Sequence, residues 1–256
     1  MPYYNSCQIL SPGLKFMGIS KELKHFRMNR PVQNGFDFKD WPVLKSVNDD
    51  TGFEVREIHW EYIPDYIHSD FEFRDARIMN IWLTARGENL FRNEKNRVSI
   101  YREGALYGRC LVLSSGFFEW RHIPIIGKRG KPLVQQEKIP YFITLRHKPE
   151  YFFMAGVSRT WTNHNRNQSA DTFAIVTTEA NELMAKVHNN KKRMPVIFNE
   201  EMAIQWLKGN LSEKEITALG NYQYSSDEMM AWPVAKEFMK KINPNEECTY
   251  DNLPPL

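Results

Sequence analysis

The segment "AKVHNNKKRMPVIF" puts His188 at the end of an apolar-periodic run, ahead of two asparagines and three basic residues. A neutral imidazole can pass protons near pH 7. The position also suits a histidine capping a helix C-terminus, where the dipole favours the cation. Taken alone, the spacing favours the cap. The neighbouring "KKR" fits a solvated turn or a phosphate backbone. "SSGFFEWR" sets Glu119 between Phe118 and Trp120. In an apolar pocket that carboxyl would gain proton affinity and could act as general acid or base. Strand alternation would instead point it to water between two core aromatics, which is the simpler reading. In "LTARGENLF", Arg86 can grip a phosphate through parallel hydrogen bonds, or pair with Glu88 at the surface for little gain. The chain opens "MPYYNSCQIL". Loss of Met1 would leave Pro2 with a secondary amine titrating near ~8, a nucleophile towards carbonyl carbon.

The elements that must hold these residues are mostly strands. "FEVREIHWEYI", "IMNIWLTA", "GRCLVLSSGFFEW", "IPYFITLR", "YFFMAGVSRTW" and "TFAIVTT" are rich in β-branched and aromatic residues. A short strand and a helix around "SKELKHFRM" precede them, joined by a turn-rich loop, "NRPVQNGFDFKDWPV". "HIPIIGKRGKPLVQQEK" reads as an exposed basic hairpin or loop. The period then turns helical in "TTEANELMAKVH", with Thr178 as N-cap. "RMPVIF" is a short strand, "NEEMAIQWLKGN" and "SEKEITALGNY" are capped helices, and "AWPVAKEFMKKIN" closes the chain. A block of strands flanked by helices is an α+β pattern. Trp60, Trp82, Trp120 and Trp161 fall on strand segments, as core or as stacking platforms for bases.

The 256 residues suffice for a sizeable core, and 42% hydrophobic with 25% charged residues marks a globular chain. A net charge of +3 is a mild lean towards polyanions. Cys7, Cys110 and Cys248 form no metal or disulfide spacing, with Cys7 and Cys110 expected to be buried thiols. No apolar run reaches membrane-span length and no signal peptide is evident, so a cytoplasmic address is expected. No Gly-rich phosphate loop is present.

In order, "WEYIP", "LTARGEN", "RCLVLSSGFFEW", "FAIVTTEANELMAKVHNNKKRMPVIF" and a late "WPV" resemble the SOS response associated peptidase (SRAP) family, from Met1 to about Ile242. "MPYYN" and "NRPVQNGFDFKDWPV" look closest to its Bacteroidetes subgroup. The resemblance implies one α+β domain over 1–256, with a curled mixed or antiparallel, barrel-like β-sheet flanked by helices. It implies a partner, single-stranded DNA containing abasic sites, in a positively charged groove, with no cofactor, no metal, no membrane and no obligate protein partner. The family's chemistry is covalent. Met1 is removed, and the amine and thiol of a cysteine at position 2 condense with the ring-opened aldehyde of the abasic site. An Asn, a Glu and a His line that site, and arginines hold the flanking phosphates.

Carried onto this chain, Glu119, His188 and Arg86 match the family pattern, and Arg193 is the second arginine expected at DNA. Four positions depart from it. Thr84 replaces the Asn, Pro2 the cysteine, Glu61 a Gly, and Tyr66 with Ile67 a bulky aromatic wedge. A thiazolidine needs amine and thiol on one residue, and the Cys7 nitrogen sits in a peptide bond. Three explanations stand: a changed N-terminal residue, a paralogue that binds single-stranded DNA without linking to it, or the Pro2 amine as nucleophile. The last gives an iminium ion, with Glu119 and His188 moving protons. A peptidase limited to its own Met1 ranks third, since no internal cysteine has a reactive context.

Overall fold

The computed structural model describes residues 3–9, 27–47, 52–79, 81–147, 150–251 and 253–256. Its strands are β1 (Tyr4–Ile9), β2 (Met28–Asn34), β3 (Asp40–Val47), β4 (Gly52–Trp60), β5 (Thr84–Arg86), β6 (Arg109–Ser114), β7 (Gly116–Ile126), β8 (Pro132–Leu145), β9 (Phe152–Asn163), β10 (Gln168–Glu179), β11 (Arg193–Pro195), β12 (Ile197–Phe198) and β13 (Met229–Pro233). Its helices are α1 (Asp70–Met79), α2 (Arg102–Tyr107), α3 (Glu182–Val187), α4 (Glu200–Lys208) and α5 (Glu213–Gly220).

Strand pairing closes a ring. β3 lies between β4 and β6, β6 pairs β9, β9 pairs β10, and β10 returns to β4. The β4–β10 step is parallel and the others antiparallel. Closure removes the sheet edges that five open strands would expose. Trp41, Trp60 and Phe173 fill the barrel, with ring centroids 5.9 Å and 6.1 Å apart along that row. The indole N–H of Trp41 donates to the Leu113 carbonyl at 2.9 Å, and that of Trp60 to the Leu83 carbonyl at 3.0 Å. Buried indoles stay favourable only with such partners.

A second sheet, in the order β13-β8-β7-β1-β2, packs against the barrel. Its middle strands are covered on both faces. Phe117 and Ile143 belong to the main core, whereas Phe118, Phe142, Val234 and Phe238 form a smaller cluster behind it. That explains the unbroken burial of "IPYFITL", where alternation disappears.

Mixed α+β content with a barrel-like sheet and flanking helices is as expected; several local readings change. Residues 29–43, read as a loop, hold most of β2 and the first half of β3. "IMNIWLTA" is the end of α1 and an irregular stretch; only Thr84–Arg86 is strand, so Trp82 is not on one. The cap of α3 is Asn181, whose side chain accepts from the Met184 amide; Thr178 lies within β10. Asn199 and Ser212 do cap α4 and α5, the latter with a reciprocal Glu215 bond. "AWP" ends β13, which begins at Met229. Most of the helix expected at "SKELKHFRM" lies outside the described residues; Met28 opens β2. Among the described residues, no helix is long and apolar enough to cross a membrane.

Candidate active site

By the two-residue period of a strand, Glu119 shares the face of Phe117, while Phe118 and Trp120 turn to the smaller cluster. Both faces are covered, so Glu119 does not point to water; it is 3% exposed. The strand alternates as expected, but between two cores.

His188 is reached from the other side. Asn181 starts α3, and the helix ends six residues later with His188 as its C-cap. The chain then reverses tightly. The Lys192 amide donates to the His188 carbonyl at 2.9 Å, and Lys192 itself takes the left-handed conformation at φ 49°. That costs a non-glycine residue free energy and is typical of sites that over-determine their backbone. The reversal brings the Arg193 carbonyl to His188 Nδ1 at 2.9 Å, so Nδ1 carries a proton and donates. Nε2 then faces Glu119 Oε2 at 3.7 Å. Burial pushes the His188 pKa below its ordinary value, and the Glu119 charge opposes that. The result is an enclosed imidazole–carboxylate pair whose Nε2 can take a proton.

Tyr3 and Thr84 complete the mouth. Burial and then the Glu119 charge raise the Tyr3 pKa, while a hydrogen bond with the Thr84 side chain works against them. Thr84 is held by the parallel pairing of β5 on β10, and its carbonyl accepts from the Tyr101 hydroxyl at 3.1 Å. Thr84 thus meets a tyrosine, which its short hydroxyl alone could not have announced. Further along β1, Asn5 is fully buried, and its Oδ1 accepts from Ser114 Oγ at 2.7 Å. Sequence reasoning passed over Tyr3 and Asn5. Their signal was position: Tyr3 directly precedes β1 and Asn5 lies two residues further on, within it.

The arginines are both engaged. Arg86, at the end of β5, pairs with Glu94 rather than Glu88, at 2.5 Å on the surface. Arg193 is 8% exposed and grips Glu88 through two bonds of 2.6 Å and 2.9 Å. A third goes from Arg193 to the Thr177 carbonyl at 2.7 Å. The expected phosphate ligand is therefore a bracket between β10 and the turn after β5. That turn is fixed by Gly87, where the Gly220 carbonyl leaves no room for a Cβ. Arg86, Glu88, Glu179, Lys191, Lys192 and Arg193 line an open cleft of about 690 Å³. Tyr66 sits in an exposed turn, 55% accessible. Pro2 lies outside the described residues.

Cys7 and Cys110 are buried and their thiols are pushed up to about 12, which silences them as nucleophiles at neutral pH. Among the described residues, no three His, Cys, Asp or Glu side chains are grouped to hold a metal ion.

A family model described as SOS response associated peptidase (SRAP) matches residues 17–241. The abasic site processing protein YoqW of Bacillus subtilis is 28% identical over 193 residues, covering 75% of each chain. YedK of Escherichia coli, under the same description, is 29% identical over 113 residues, covering 44% of this chain and 43% of its own. A crystal structure of a protein from Bacteroides thetaiotaomicron superposes with a TM-score of 0.75 at 27% identity, covering 96% of this chain and all of that one.

Proposed function

Because the chain belongs to the SOS response associated peptidase (SRAP) family, we propose that it processes abasic sites in single-stranded DNA by covalent attachment through its mature N-terminal residue. One domain over 1–256 and a cytoplasmic setting are part of this reading. Pro2 is the nucleophile once Met1 is gone. Its neutral amine attacks the C1′ aldehyde, the carbinolamine loses water, and an iminium ion forms. His188 Nε2 takes the amine proton, and Glu119 exchanges protons with the aldehyde oxygen as it leaves. Tyr3 and Thr84 hold the mouth, Arg86 and the two lysines steer phosphates to it, and Tyr66 offers a ring for a flanking base.

What supports this reading is the buried pair at 3.7 Å, His188 against Glu119, beside Tyr3, the residue bonded to Pro2. An iminium is reducible; a thiazolidine is not trapped in the same way. The test is borohydride trapping of Met1-processed protein on an oligonucleotide with one abasic site. A reduced adduct at Pro2, mapped by mass spectrometry, is expected. No adduct from processed protein would sink the iminium.

One observation favours a second reading, a DNA-binding relative that does not link. Pro2 stands where the family keeps its cysteine. That reading expects salt-dependent binding with no adduct and an intact Met1.

A further inference from the structure

The long hairpin of β7 and β8 divides in two. Residues 139–145 are buried; β7 pairs them from Ile139 to Ile143, and β13 from Tyr141 to Leu145. Residues 132–138 are exposed and pair with β7 alone. Beyond His122 the molecule therefore extends a bare two-stranded arm, closed by a turn with Gly130 at φ 68°. Two strands without a core are marginal in water.

The arm concentrates charge. Between His122 and Ile139 lie four cations, Lys128, Arg129, Lys131 and Lys138, against the single acid Glu137. That local excess equals the +3 of the whole chain. Glu137 is itself paired with Lys236 at 2.5 Å, outside the arm. Three of the cations, Lys128, Arg129 and Lys131, crowd the exposed tip, next to the accessible Ile126, Leu133 and Val134.

The arm's root is fixed to the candidate site. Asn189, the residue after His188, takes the His122 amide on its Oδ1 and returns its Nδ2 to the His122 carbonyl, both at 2.9 Å. From Glu119 to Lys128 an extended chain spans about 30 Å at ~3.3 Å per residue.

From this geometry we infer that the arm is a clamp for duplex DNA flanking the strand held at the site. The proposal rests on the DNA reading above and adds a second contact, about eight to nine base pairs away at 3.4 Å per pair. The cations lie at the far end rather than along the arm, so their partner must keep a straight course for 30 Å. Duplex DNA does so, with a persistence length of about 500 Å. A two-stranded ribbon also fits the major groove. The contacts are to phosphates and read no sequence.

The test uses DNAs with one identical single-stranded segment carrying an abasic site, joined to a hairpin-closed stem of about 5 or about 15 base pairs. Binding of the full chain is measured by anisotropy over a range of salt, beside the triple variant Lys128→Ala, Arg129→Ala, Lys131→Ala. Wild type is expected to prefer the long stem about tenfold or more at low salt, with a salt slope steeper by about 2 to 3, near 0.9 per neutralised phosphate. The variant should lose both differences and match wild type on the short stem. Equal affinity of wild type for the two stems overturns the clamp, as does a variant that keeps the long-stem preference. An arm serving an acidic protein would give the first of these results. Adducts on the short stem with no length effect would sink the clamp alone, whereas absence of any DNA binding would sink the parent reading too.

Discussion

Glu61 and Glu119 are both buried carboxylates, at 0% and 3% exposure, and they do opposite things. Glu61 stands where the resembling family has a glycine. Arg77 of α1 reaches over it, with Nε at 3.2 Å and 3.1 Å from the two carboxylate oxygens and Nη2 also bonded. The guanidinium is sandwiched by Phe38 and Phe73, at 3.6 Å and 4.4 Å from the ring centroids. Arginine does not give up its proton, so that pair has one state. Glu119 faces an imidazole whose pKa is depressed by burial. Its pair has two states that differ by the place of a proton. A buried acid opposite a permanent cation is a brace, and opposite a neutral histidine it is chemistry.

The largest effect separates the two as stability. Arg77→Met should leave the buried Glu61 with only His59 Nε2, at 3.9 Å, facing it, and cost up to about 3–5 kcal/mol. Urea unfolding checks it, and the molecules that remain folded should still form adducts. Glu119→Gln should do the reverse. Adduct formation should slow at least a hundredfold, the lower end for a lost proton-transfer group, with unfolding nearly unmoved. If the two substitutions scored alike on both measurements, the comparison would collapse.

A pH profile sharpens it. His188 has a lowered pKa in the folded chain, so its neutral form persists below the ordinary 6.5. In the window between the two values the unfolded chain binds the extra proton, so stability is present above 6.5 and declines as pH falls through it. The acid limb of the adduct rate should have its midpoint below 6.5 for the same reason. Glu119→Gln removes the charge that raises the pKa, so its His188 midpoint, followed by NMR, should move lower still. An unchanged or higher midpoint would mean that the carboxylate is not felt by the ring.

The contrast was only half legible in the chain. Glu119 and His188 were singled out, because a carboxyl between aromatics and a histidine before a basic run are unusual company. The resemblance sets them in one site, but the residues alone do not, since 69 positions separate them and the meeting depends on α3 packing against β7. Alternation placed Glu119 on the correct side of β7 but could not say that the side was covered. A barrel-like sheet follows from the resemblance alone; periodicity does not give its closure, because the parallel β4–β10 step joins segments more than a hundred residues apart. Helix α1 is hidden in the sequence, because "RDARIM" runs into an apolar stretch that resembles a strand. Nothing in the chain therefore sets Arg77 beside Glu61, and the charge of Arg193 gives no sign of the Glu88 that consumes it.

The same distinction between brace and working group applies to the arginines, at the smallest scale. Arg193 holds Glu88 by two bonds and the Thr177 carbonyl by a third, mostly away from water. Arg86 holds Glu94 by one bond, with side chains 46% and 71% exposed. An exposed pair is worth about 0–1 kcal/mol, so a phosphate can displace Glu94 at little cost. Glu94→Gln should then tighten single-stranded DNA binding by up to about fivefold at low salt, the gain fading as salt screens the site. Glu88→Gln should give no such gain and should lower stability instead, because it unpairs a buried guanidinium. Anisotropy and urea unfolding on the two variants decide it. Tighter binding from Glu88→Gln would make Arg193 a DNA ligand after all, and the bracket a gate.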